Sequence, residues 1–73
     1  MEHYNNLLAD KIMWHLLLYS VMNRVITMTN EEMAIRLECE PDELQFYLDS
    51  FEVQEKITVW DQDGERNIMV NEI

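Results

Sequence analysis

The chain has 73 residues, 48% of them hydrophobic, and 15 acidic against 5 basic side chains give a formal charge of −10. That length allows one domain, residues 1–73, with a small core, because chains of this size bury only about 60% of the surface they expose when unfolded. A field of this sign repels nucleic acid and acidic membranes, and one Gly and one Pro leave no room for a linker or a low-complexity segment.

The opening residues, Met1-Glu2-His3-Tyr4-Asn5-Asn6, carry an acid where a secretory signal would carry bases, and the single cysteine, Cys39, fits a reducing compartment. A cytoplasmic protein is expected. From about Tyr4 to Arg24 nothing breaks a helix, and between Ile12 and Met22 only His15 and Ser20 interrupt the apolar run. The run is too short to span a membrane, which needs about 20 predominantly apolar residues. Its apolar residues instead form two stripes. Leu8, Ile12, Leu16 and Tyr19 can face the rest of the domain, while Leu7, Trp14, Leu18 and Val21 lie on another side. Either the C-terminal part of the chain wraps over that second stripe or a second copy covers it. In a two-layer domain this small, a homodimer through Leu7, Trp14, Leu18 and Val21 is favoured.

Thr29-Asn30-Glu31-Glu32 places a hydroxyl at an N-cap and a carboxylate three residues on, so a second helix is expected over about 30–37. Met33, Ala34 and Leu37 form its inner stripe; Glu31, Glu32, Ile35 and Arg36 remain outside. Pro41, followed by Asp42 and Glu43, announces a third helix over about 41–53, which leaves Glu38-Cys39-Glu40 as the turn. Leu44, Tyr47, Leu48 and Phe51 fall on its inner face, and Asp42, Gln45, Phe46 and Asp49 on its outer one.

Asp63-Gly64 is the preferred central pair of a type I′ turn, and strand formers flank it, so a hairpin is expected over about 57–71. Counting outward pairs Asp61 with Arg66, Trp60 with Asn67, Val59 with Ile68 and Ile57 with Val70. Ile57, Val59, Ile68 and Val70 then share the inner face and Asp61 opposes Arg66, whereas Thr58, Trp60 and Met69 go outside.

The run from Thr29 to Ile57, with its two short helices, tight turn and following hairpin, resembles the winged helix-turn-helix superfamily of regulators and of phage or plasmid replication proteins. Thr29, Glu32, Ala34 and Leu37 sit where that family has its second helix; Leu44, Gln45, Leu48 and Phe51 sit where its recognition helix keeps its packing residues. The resemblance implies a mainly α fold with a two-stranded wing and a regulator's function. Three departures stand beside it: Glu38 and Glu55 occupy turn positions where the family often has Gly, Glu40 replaces the usual Ser or Thr cap, and the outer face of the recognition-type helix has no Arg or Lys.

The residues offer little for catalysis. Asp61-Gln62-Asp63-Gly64 matches part of a calcium loop, but aligning its glycine puts Val59 and Val70 at the terminal ligand positions. His3 and His15 have neither zinc spacing nor a nucleophile beside them, and the acids around Cys39 oppose a reactive thiolate. No metal, cofactor or enzymatic activity is expected. Two functions remain open. One is an acidic, phage-like regulator that docks Asp42, Gln45, Phe46, Asp49 and Trp60 on a basic protein of the transcription or replication machinery, including mimicry of DNA charge. The other is a sequence-specific DNA-binding regulator of transcription or replication, as fold analogy alone would say. A third reading of the acids, a surface that only keeps a small protein soluble, makes neither partner necessary.

Overall fold

Asn5 begins the first helix, where its side-chain oxygen accepts from the backbone N–H groups of Leu7 and Leu8 at 2.9 and 3.2 Å. The computed structural model describes residues 4–71. In it, α1 (Asn6–Met22) is followed by α2 (Asn30–Leu37), α3 (Pro41–Val53) and an antiparallel hairpin of β1 (Ile57–Gln62) and β2 (Glu65–Val70). The sequence pattern would run α1 from about 4 to 24; the Asn5 cap and the extended backbone of Asn23 set nearer limits.

After α1 the chain is extended, and Ile26 exchanges two backbone hydrogen bonds with Ile68 at 2.8 and 2.9 Å. This bridge lays the connection along β2 and was not part of the sequence expectation. Thr29 then builds a complete capping box with Glu32: the Glu32 N–H donates to the Thr29 hydroxyl at 3.1 Å, and the Thr29 N–H donates to the Glu32 carboxylate at 3.0 Å. α3 starts differently. Pro41 supplies the first helical φ, but Glu40 makes no side-chain cap bond, so only the Asp42 and Glu43 charges favour that end.

α2 and α3 close in the same way. Cys39 N–H reaches Ala34 O at 3.1 Å and Lys56 N–H reaches Phe51 O at 2.9 Å, each across a left-handed residue. Those residues are Glu38 (φ 57°) and Glu55 (φ 62°), where glycine would carry no steric penalty. The hairpin turn is type I′ in outline, with Asp63 at φ 56° and Gly64 at φ 79°. Its register pairs Ile57 with Val70, Val59 with Ile68, Trp60 with Asn67 and Asp61 with Arg66.

The core gathers Ile12 and Leu16 of α1, Met33 and Leu37 of α2, Leu44, Tyr47, Leu48 and Phe51 of α3, and Ile26, Ile57 and Ile68 from the extended segments. Burying one such side chain contributes roughly 1.5–3 kcal/mol. Val59 and Val70 pack against this cluster while remaining half-buried. Tyr47 satisfies its hydroxyl by accepting from the Asn5 N–H at 2.9 Å, which ties the middle of α3 to the start of α1. On the opposite hairpin face Asn67 is buried, and its side-chain oxygen accepts from Thr27 at 2.8 Å.

Candidate functional site

Arg66 decides the character of the surface around α3. The register sets it opposite Asp61, yet its hydrogen bonds go elsewhere. One Nη donates to Met28 O at 2.7 Å; the other donates to Asn30 Oδ1 and, at 3.5 Å, to Gln45 Oε1. Nε is buried with no partner. Desolvation lowers the pKa of this half-buried guanidinium, and the Asp61 and Glu31 charges pull the other way. An arginine remains charged under such a shift. The cation therefore clamps β2 to α2, α3 and the segment before α2, and is not displayed on the hairpin for a phosphate.

Gln45 is committed to the same network. Its Oε1 also accepts from Asn30 at 2.7 Å, and its Nε2 donates to Asp49 at 2.7 Å. Both ends of the amide that would have to read a base edge are already used. Asp42 and Asp49 are exposed, so the outer face of α3 presents carboxylates beside an amide held in place. Phe46 is half-buried on this helix. It packs edge-on against Tyr47 with ring centroids 5.1 Å apart and lies 6.3 Å from Tyr4, so it is a lining of the core edge more than a projecting anchor. Trp60 is half-buried on the other hairpin face from Arg66, with its indole N–H 3.4 Å from Gln62 Oε1. Hydrogen bonds thus join Gln45 and Asp49 of the expected set; Phe46 faces Tyr4, and Trp60 is directed away from Arg66.

Between the N-terminus of α2 and the hairpin tip lies an open groove of about 450 Å³, lined by the 27–32 segment, Asp61, Gly64, Glu65 and Arg66. Glu31, Glu32, Asp61 and Glu65 make it acidic. The Thr29 backbone N–H and then its hydroxyl lower the pKa of the Glu32 carboxylate, favouring its charged form. The Arg66 clamp and this groove were not anticipated; the only sequence sign was a lone cation on a strand of otherwise neutral and acidic residues.

The second stripe of α1 is exposed: Leu7 81%, Trp14 65%, Leu18 61% and Val21 83%, with Met22 beside it at 82%. No described part of the chain folds over it. Its opposite side is closed, with Ala9, Ile12 and Leu16 at 4% exposure or less.

The chemical candidates end quietly. Burial, then Glu43, raises the Cys39 thiol, with Lys11 opposing and Glu40 reinforcing, which is the direction of an unreactive thiol. His15 stacks edge-on to Tyr19 on α1 at 5.4 Å, while Met1, Glu2 and His3 lie outside the described residues. Among the described residues no three His, Cys, Asp or Glu side chains converge as a metal site, and no helix is long and apolar enough to cross a membrane. No family model, curated protein or solved structure matches the chain.

Proposed function

We propose that this chain is a non-catalytic winged-helix regulator that works as a homodimer and docks the acidic face of α3 on a basic protein of the transcription or replication machinery. The observation that carries this reading is the outer face of α3. Asp42 and Asp49 are exposed there, and Gln45, its one base-reading side chain, is bound by Asn30, Arg66 and Asp49. A duplex would meet carboxylates where readers of DNA present Arg, Lys or free amides. A cationic protein surface meets charges that steer it in, with Asp42 and Asp49 at the contact, Gln45 and the half-buried Phe46 at its margin, and Trp60, on the other hairpin face, outside it. The same arrangement suits a protein that stands in for DNA charge. The exposed stripe of α1 supports the homodimer, since burying it removes the largest apolar surface that the described chain leaves in water.

The test compares a duplex with a basic partner. The unmodified chain should leave labelled duplex DNA unbound at low salt while retaining a DNA-binding protein from native lysate, and Asp42→Lys with Asp49→Lys should abolish that retention without unfolding the chain. Duplex binding that weakens steeply with salt and disappears on Gln45→Ala would replace this reading with a DNA-binding regulator.

A further inference from the structure

The outer stripe of α1 repeats like the seam of a coiled coil. Leu7, Lys11, Trp14, Leu18 and Val21 alternate steps of four and three residues, which places Leu7, Trp14 and Val21 at d positions and Lys11 and Leu18 at a positions. The four apolar members are at least 61% exposed, and Lys11 between them is exposed as well. A single cation in an otherwise apolar seam sets orientation and register.

We propose that two copies of this chain pair antiparallel along this stripe, with Lys11 of each lying over the Trp14 ring of the other and Leu7 of each against Leu18 of the other. The proposal rests on the homodimer above and fixes its geometry. Reversing one helix exchanges its a and d sides, so an a residue of one copy meets a d residue of the next. One alignment then satisfies both layers, and two-fold symmetry makes each contact twice. A parallel pair would instead set Lys11 against Lys11 inside the contact and align the two helix dipoles, both unfavourable.

Three observations favour a second copy over another occupant. The stripe carries both a cation and its aromatic acceptor, so it is complementary to itself. α1 carries a single acid, Asp10, exposed at the edge of the stripe, where α3 carries four, so on this face of a chain of charge −10 two copies meet little carboxylate repulsion. Leu7, Trp14, Leu18, Val21 and Met22 together expose on the order of 700 Å² per copy, near the roughly 800 Å² each partner of a stable complex buries. The flexible four-carbon stem of Lys11 lets its ammonium reach the ring.

Sedimentation across micromolar concentrations tests this on the full chain. The unmodified protein should dimerise, and Lys11→Ala should weaken the dimer about tenfold by removing two cation–π contacts. A dimer unchanged or tightened by Lys11→Ala overturns the arrangement. In a Cys39→Ser background, Leu7→Cys combined with Leu18→Cys should oxidise to a covalent dimer, and neither cysteine alone should. Both positions are exposed, and circular dichroism checks that the variants fold. Cross-linking by Leu7→Cys alone means a parallel pair, which leaves the homodimer standing and removes its geometry. A protein monomeric at every concentration removes both.

Discussion

α1 and α3 have the same kind of inside and opposite kinds of outside. Ile12 and Leu16 of α1 are as fully buried as Leu44 and Phe51 of α3. Outside, α1 shows Leu7, Trp14, Leu18 and Val21, whereas α3 shows Asp42 and Asp49 beside a hydrogen-bonded Gln45. The apolar surplus of this chain and its charge surplus are therefore kept on separate helices. Apolar surface is stabilised by any well-fitted cover, but a carboxylate face is stabilised only by a cationic one. On the proposed reading the two helices meet different kinds of partner, and the difference can be broken at either helix.

The largest effect should come from the inner side of α1. Leu16→Ala should cost about 3 kcal/mol in urea unfolding, since the site is closed and the cavity cannot refill with water. Leu18→Ala, two residues on, should cost less than about 0.5 kcal/mol at concentrations too low for the proposed association. With rising protein concentration the Leu18→Ala chain should fall behind the unmodified one, because association stabilises only the folded state. Equal losses at both positions under dilute conditions would mean that the chain itself covers the outer stripe, and the contrast between α1 and α3 would vanish.

Arg66 is the corresponding lever on α3. Arg66→Leu strands the Met28 carbonyl and the Asn30 side-chain oxygen, both part-buried, and removes the long contact to Gln45, so a loss of about 1–2 kcal/mol is expected. In a chain this short that lowers Tm by at least about 5 °C. A loss below about 0.3 kcal/mol would show that solvent already screens the clamp. Gln45 keeps its bonds to Asn30 and Asp49 in this variant, so in NMR spectra the side-chain amide of Asn30 should shift more than that of Gln45.

What the sequence made legible was local. Asp63-Gly64 and the alternation around it imply the register observed, because slipping one residue would put Ile57 and Ile68 in water. Thr29 with Glu32 implies the capping box for the same reason, as both partners lie within one turn. Apart from the ends of α1, the errors and omissions involve partners distant in sequence. The β-branched residues Val25-Ile26-Thr27 carried no expectation, and their pairing with Ile68 required the tertiary fold. Asp61 and Arg66 are cross-strand neighbours, yet the guanidinium found acceptors on Met28, Asn30 and Gln45. Phe46 falls on the outer face by helical spacing alone, and Tyr4, which precedes α1, leans over it.

The smallest effects lie at the helix starts, where α1 and α3 differ once more. α1 opens on Asn5 with two cap bonds, while α3 opens on Glu40 with none. Glu40→Ser should therefore stabilise the chain by about 1 kcal/mol, leaving the outer face of α3 untouched. The capping box of α2 provides the pH control. The Glu32 pKa is depressed in the folded chain, so its contribution is complete above the ordinary glutamate value of 4.5 and is lost as pH falls through the lower folded value. The stability gap between the unmodified chain and Glu32→Gln should be widest near neutrality and close in acid. If the gain from Glu40→Ser is absent, Asp42 and Glu43 already satisfy that helix end through the dipole alone, and the acids of α3 serve its stability as well as its surface.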